Sequence, residues 1–289
     1  MTQFILNGDC LELMKGMPDK SVDLFVCDLP YGCLTNQPKA DGTEGKSKGG
    51  LHHAAGGGKE RAKRRANTET AGMFGCSWDI KLDLNAFWTQ VKRLCKDDHT
   101  PVLMFCNTKF GFDLYNSNPD WFRYDLVWNK MRGVSFLSAN KMPMRSHEMV
   151  YVFSKKGANY YRKDIDGDFK KVGGGRNTAA SLSQQYGSIP LTGIPENEGK
   201  RCALSVINNG TSMRKGGHPT EKPMDLYKFL IERYSKVGDR VLDPTFGSGN
   251  SGRACAELGR KYIGIEKDNG FFWKYASCKT DSKTNVEEN

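Results

Sequence analysis

Four consecutive residues, Asp28, Leu29, Pro30 and Tyr31, carry the most distinctive chemistry of this chain. They close an apolar, partly β-branched run, Val22 to Asp28, and Pro30 removes a backbone donor while pushing Leu29 toward an extended conformation. A buried strand thus runs into a rigid turn that presents a carboxylate, a peptide carbonyl and an aromatic ring. Ligands of open α/β sheets sit at the carboxyl ends of strands, which is where this turn falls. Two adjacent acceptors suit an exocyclic amino group, a poor nucleophile because its lone pair is delocalised into the ring. The Asp28 carboxylate and the Leu29 carbonyl would accept its two hydrogens, draw the nitrogen toward tetrahedral geometry and free the lone pair to attack a sulfonium methyl. Tyr31 would stack on the base, a contact worth about 1–3 kcal/mol against the few kcal/mol needed to extract a base from a duplex. Taken alone, the four residues fit equally well a strand-ending turn with a surface tyrosine.

A second cluster lies near the carboxyl end of the chain. Val241 to Asp268 reads as strand, glycine turn, helix and second strand, with Gly247, Gly249 and Gly252 in GxGxxG spacing and Glu266 where a carboxylate holds ribose hydroxyls. Without a β-carbon such a turn can touch a ligand, and the following helix N-terminus offers free N–H groups. The same pattern serves nicotinamide enzymes, so a NAD-dependent oxidoreductase stays open, and so does a turn shaped by glycines alone. Only a short stretch follows Glu266, too little to complete a doubly wound sheet. The remaining strands must therefore precede the motif.

Other elements have to position these clusters. Leu84, Phe87, Trp88, Val91 and Leu94 recur at the spacing of an amphipathic helix, and a strand over Val102 to Cys106 follows. Further strands are predicted at Tyr124 to Trp128, Met149 to Phe153, Arg240 to Asp243 and Tyr262 to Glu266, with a helix from about Met224 to Tyr234. Alternating β and α segments predict a largely parallel sheet. Two stretches break the pattern. Residues 33–75 alternate glycines with basic residues and predict a mobile loop. Residues 156–215, rich in Gly, Ser, Asn, Lys and Arg with scattered aromatics, read as an inserted recognition segment. The frame is then 1–155, the insert 156–215, a second part 216–280 and a disordered tail 281–289.

The chain has 289 residues, enough for one catalytic unit with an insertion, and carries 43 Lys and Arg against 33 Asp and Glu, a formal charge of +10. That excess favours a polyanionic partner. Lys39, Lys46, Lys48, Lys59, Arg61, Lys63, Arg64 and Arg65 concentrate it just after the Asp28 turn, where they would grip phosphates and close over a target strand; a solvated linker is the plainer alternative. Nine cysteines show no CxxC pair and no zinc spacing, so no metal site is expected. Neighbouring His52 and His53 do not make one, and His147 and His218 read as structural hydrogen-bonders. No signal peptide or membrane-spanning run is visible, so an intracellular, soluble, cytoplasmic protein is expected.

Together these segments resemble the amino-methyltransferases of DNA, whose catalytic motif is (D/N/S)PPY, here Asp28-Leu29-Pro30-Tyr31. Leucine replaces the first proline but keeps the carbonyl. Asn7-Gly8-Asp9 is similar to the family's segment near the cofactor adenine, and His218 to Pro223 (HPTEKP) to its HPTQKP motif near the methionine end. The glycine segment departs from DPFxGSG, since Thr245 replaces phenylalanine and Phe246 follows. Trp128-Asn129-Lys130 and His147-Glu148 through Lys155 look like family strands. Motif order, with the catalytic turn first and the glycine turn last, is that of the circularly permuted beta group.

The resemblance implies a Rossmann-like α/β fold with a seven-stranded, mostly parallel sheet and a target-recognition insert. It implies S-adenosyl-L-methionine as cofactor, held by Asp9, Cys10, Asp28, Thr220, Glu221, Lys222, Asp243, Thr245, Gly247, Ser248, Gly249, Asn250, Glu266 and Lys267. It also implies methylation of flipped adenine N6 in double-stranded DNA, since Asp at the first motif position favours adenine. Enzymes of this arrangement are often dimers, which leaves a homodimer open. Rivals are N4-cytosine methylation on the same scaffold and a catalytically silent DNA-binding protein. C5 methylation is disfavoured because the chain has no Pro-Cys dipeptide to supply a thiolate.

Overall fold

β3 (Val102–Cys106) has no charged side chain and is buried along its whole length. Such a strand needs cover on both faces, as in a sheet sandwiched by helices. The computed structural model, which describes residues 2–32, 79–134, 136, 139–166, 200–210 and 221–277 and the backbone of 284–287, has that architecture. β1 (Gln3–Asn7), β10 (Lys261–Glu266), β9 (Arg240–Asp243), β2 (Leu24–Cys27) and β3 lie side by side, all parallel. β5 (Arg145–Phe153) then runs antiparallel between β3 and β4 (Phe122–Val134).

These seven strands are the expected mostly parallel sheet. Two short strands extend its edges to nine: β8 (Val206–Asn208) beside β4 and β11 (Thr284–Glu287) beside β1. Both lie where the sequence reading placed no strand. Val206–Asn208 falls within the expected insert yet joins the main sheet, where Trp128 Nε1 donates to the carbonyl of Asn209 at 2.7 Å. Thr284–Glu287 falls within the expected disordered tail but pairs with β1, whose outer edge would otherwise expose unpaired backbone groups. A two-stranded ribbon, β6 (Ile165–Asp166) with β7 (Lys200–Arg201), is the other strand pairing among the described residues of the insert.

Period-two alternation divides the core. In β2, Leu24 and Val26 face α4 (Met224–Tyr234), α5 (Asn250–Leu258) and α6 (Asn269–Ser277), sharing a cluster with Leu226, Leu230, Ala254 and Phe272. Phe25 and Cys27 point the other way, toward α1 (Cys10–Lys15), α2 (Leu84–Leu94) and α3 (Thr108–Ser117), in a cluster with Met14, Phe87, Val91 and Leu114. α2 spans the residues its periodicity predicts. Asp83 caps it by accepting from the amides of Asn85 and Ala86, and Phe87, Trp88, Val91 and Leu94 are buried. Each such side chain contributes about 1.5–3 kcal/mol of transfer free energy. Among the described residues no helix is long and apolar enough to cross a membrane.

The two halves of the sheet meet where β2 pairs with β9, Leu24 opposite Val241 and Phe25 opposite Leu242. Chain connections leave in opposite directions from this seam, toward β3 on one side and β10 on the other. The Asp28 turn and the glycine turn therefore emerge side by side at the switch point of the sheet.

Candidate active site

A cavity of about 650 Å³ opens over that switch point. Its walls include Asp28, Leu29, Pro30 and Tyr31 from the β2 turn; Thr245, Gly247 and Ser248 from the glycine turn; Glu266 and Lys267 from the end of β10; Gly8, Asp9 and Cys10 from the end of β1; and Glu221 and Lys222. Residues far apart in the chain are thus brought to one site. Its size lies within the range of cofactor and substrate pockets.

The Asp28 end is organised by charge. Asp28 is largely buried and both its oxygens accept: Oδ1 from the Tyr31 hydroxyl at 3.1 Å and Oδ2 from Lys222 Nζ at 2.7 Å. Desolvation lifts its carboxyl above the ordinary range despite the pull of Lys222. Lys222 itself is only 4% exposed. Burial would lower its pKa, but Asp28 and Glu148 outweigh that and hold it above the ordinary value, so it is an ammonium. Glu148 Oε2 faces Nζ at 3.5 Å, and Glu148 Oε1 accepts from Lys130 at 2.5 Å. For Glu148 desolvation is likewise outweighed, and the two lysines keep its carboxyl below the usual value. Two carboxylates and two ammonium groups therefore form a balanced cluster, the arrangement in which buried charges are tolerated.

Tyr31 differs from the expectation of a ring free to stack on a base. One face already packs on Phe110, with centroids 5.0 Å apart and planes at 26°, and its hydroxyl is committed to Asp28. Burial pushes its phenol well above the ordinary pKa, so it remains a donor. The Thr245 hydroxyl donates to the Asp28 carbonyl at 3.0 Å, tying the glycine turn to the Asp28 turn. Phe246 buries itself against Phe272 and Tyr275. The order Thr-Phe thus puts a polar tie at the seam and the aromatic ring in the core.

At the other end, Glu266 Oε2 accepts from the Gly247 amide at 2.9 Å and Oε1 from the Asp268 amide at 2.8 Å. Each oxygen keeps a lone pair for a further donor. Burial raises its pKa. Asp9 caps α1, accepting from the Leu11 amide at 3.0 Å, and pairs with Lys267 Nζ at 3.1 Å. Burial would raise its carboxyl, but Lys267 and the Leu11 amide lower it overall. Cys10 is buried at the wall, its thiol pushed up to about 12 by desolvation, and is no nucleophile at neutral pH.

Several residues expected to touch a cofactor stand behind the wall instead. Asp243 is 1% exposed; it accepts from the Ser251 hydroxyl at 2.6 Å and the Thr245 amide at 3.1 Å, and burial raises its carboxyl to about 7. Asn250 donates to Glu221 Oε1 at 2.7 Å and to the Lys222 carbonyl at 2.8 Å, fixing the segment that carries Lys222. Gly249 and Gly252 are glycine because of neighbours in the protein. A β-carbon would lie 2.0 Å from the Tyr275 ring at Gly249 and 2.1 Å from the Tyr275 hydroxyl at Gly252. Gly247, at φ 50°, is the wall residue for which the turn itself demands glycine.

Sequence reasoning missed Glu148, Lys130 and Phe110 as site residues. A signal existed: Glu148 shares the inward face of its strand with Val150 and Val152, and Lys130 that of Leu126 and Trp128. A charge on an apolar face needs a partner, and each is the other's. Thr220, His52, His53 and the basic residues Lys39, Lys46, Lys48, Lys59, Arg61, Lys63, Arg64 and Arg65 lie outside the described residues.

Comparison with known proteins matches residues 22–274 to the N6/N4 methylase model, described as DNA methylase. The chain belongs to the N6/N4 DNA methylase family. Among curated relatives, the type II methyltransferase M.HinfI of Haemophilus influenzae is 27% identical over 278 residues, covering 91% of this chain and 64% of that protein. The chain thus spans less than two thirds of that relative's length. Two solved structures share the fold. The PvuII DNA methyltransferase (cytosine-N4-specific) has a TM-score of 0.60 at 16% identity, with 99% of this chain and 89% of that one covered. The M1.HpyAVI–SAM complex has a TM-score of 0.56 at 16% identity, with 97% and 100% covered.

Proposed function

We propose that this methylase transfers a methyl group from S-adenosyl-L-methionine to an exocyclic amino nitrogen in duplex DNA, adenine N6 before cytosine N4. The observation that carries this is one continuous cavity lined by both the Asp28 turn and the Glu266–Gly247 end.

The residues fit such a cofactor. Spare lone pairs on the buried Glu266 carboxylate suit vicinal ribose hydroxyls, and the turn at Gly247 and Ser248 leads into the α5 N-terminus, which favours a carboxylate. When bound, S-adenosylmethionine supplies an electrophilic methyl on a sulfonium. The chain's own residues do the rest. Asp28 and the Leu29 carbonyl accept the amino hydrogens and align the nitrogen lone pair, and the carboxylate balances positive charge that grows on the nitrogen. Tyr31 holds Asp28 in place through its hydroxyl, and Phe110 holds Tyr31. Extrusion of the base is required because no duplex base can reach a recessed carboxylate.

Adenine is favoured by the aspartate at the first motif position. The cytosine-N4 reading is kept alive by the fold shared with the PvuII protein. Mass spectrometry of nucleosides from unmethylated DNA treated with the protein and S-adenosylmethionine decides between them: N6-methyl-2′-deoxyadenosine is expected. N4-methyl-2′-deoxycytidine alone would replace the base assignment, and no methylated nucleoside would overturn the proposal.

A further inference from the structure

Asp28 presents a difficulty for the reading above, on which this inference rests. The carboxylate oxygen that faces an incoming amino group already accepts from the Lys222 ammonium at 2.7 Å, and the other accepts from the Tyr31 hydroxyl. A neutral amino group sharing that oxygen with a charged donor makes the weaker bond, beside a positive charge, while the donor stays put. Nor can the ammonium leave for solvent, because Lys222 is 4% exposed and its charge would lose its partner in the interior.

A second seat exists. Glu148 Oε2 points at the same ammonium from 3.5 Å, is itself buried, and accepts no hydrogen bond among the described residues. Its other oxygen is anchored by Lys130 at 2.5 Å, so the seat cannot swing away. A shift of Nζ by less than about 1 Å brings it to charge-assisted hydrogen-bond distance from Glu148. Phe105 and Tyr31 flank the ammonium, with ring centroids 5.4 and 5.7 Å from Nζ, and stay close to it during so short a shift.

We infer that Lys222 is a two-position latch: it occupies Asp28 when no base is present and passes to Glu148 when the target amino group arrives. The move keeps the ammonium paired throughout and frees Asp28 Oδ2 at the moment the base needs it, leaving the carboxylate to the Tyr31 hydroxyl and the incoming amino group. It also withdraws a positive charge from the nitrogen as that nitrogen becomes positive. Glu148 is thus a positioning residue, acting on the reaction through Lys222 rather than by touching substrate.

The test is a double-mutant cycle on the full chain, with Glu148→Gln, Lys222→Met and the combination, read as single-turnover methyl transfer to unmethylated genomic DNA. Glu148→Gln is expected to lower the rate on the order of tenfold or more at a temperature where the variant is fully folded, while S-adenosylmethionine affinity and duplex affinity change little; its melting temperature falls because Lys130 loses its carboxylate. In the Lys222→Met background the same substitution should change the rate by less than about threefold. Equal losses in both backgrounds, or a Glu148→Gln protein as fast as wild type, would overturn the latch. Should Lys222→Met fail to fold, a crystal structure of the wild-type protein on a duplex carrying its mapped target gives the answer: Nζ on Glu148 supports the latch, and Nζ still on Asp28 beside a bound base refutes it. A wild-type protein that methylates no DNA would bring down the underlying reading and the latch together, a result distinct from either of these.

Discussion

Buried charge is what sets this site apart at the scale of single residues. Asp28, Lys222, Glu148 and Lys130 tolerate one another because each neutralises a neighbour. Asp243 has no cation among its hydrogen-bond partners, only the Ser251 hydroxyl and the Thr245 amide, and its carboxyl titrates near 7. Its folded pKa is therefore raised above its unfolded value of 3.8. The stabilisation it contributes is complete below the unfolded value and is lost as pH rises through the folded one. Denaturant unfolding should show Asp243→Asn gaining stability relative to wild type, on the order of 1 kcal/mol or more, as pH is raised from about 5 to about 8. A stability difference independent of pH would show that this carboxyl is ionised throughout.

Packing between elements explains what the glycine motif is for. The turn looked in sequence like a cradle for ligand, whereas two of its three glycines make room for Tyr275 of α6. Gly249 combines that contact with φ 71°, so Gly249→Ala meets both a clash and an unfavourable backbone. A loss of about 2–4 kcal/mol is expected in denaturant unfolding, partly restored by adding Tyr275→Leu. A loss below about 0.5 kcal/mol would mean that α6 does not pack on this turn. The long-range partner, Tyr275, is what sequence could not show. Local pattern, by contrast, was enough for α2, β3, α4 and β9, whose ends match their periodicity because each buries a stripe set by its own residues. β8 and β11 escaped notice because short edge strands owe their existence to a neighbour, not to an apolar pattern of their own.

For the whole molecule, motif order and topology give the same answer. The segment 241–268 cannot build a sheet alone, and the pairing of β2 with β9 supplies the missing half and places Asp28 against the glycine turn. The cluster of Asp28 with Lys222 and Glu148 was not legible, since it depends on three segments meeting across the sheet. On the proposed reading, phosphate contacts by a chain of net charge +10 would make DNA affinity salt-dependent. A plot of log affinity against log salt should be linear with a negative slope of several units, and a flat plot would remove phosphate contact as the source of binding.

The central claim is that one cavity joins a donor-binding end to an amino-gripping end. Measuring S-adenosylmethionine binding by calorimetry alongside labelled methyl transfer, for wild type and Asp28→Ala, tests it most directly. The account predicts that the variant binds the cofactor within about fivefold of wild type and loses transfer by a factor of at least about 100. An Asp28→Ala protein that still methylates DNA at near wild-type rate would contradict it.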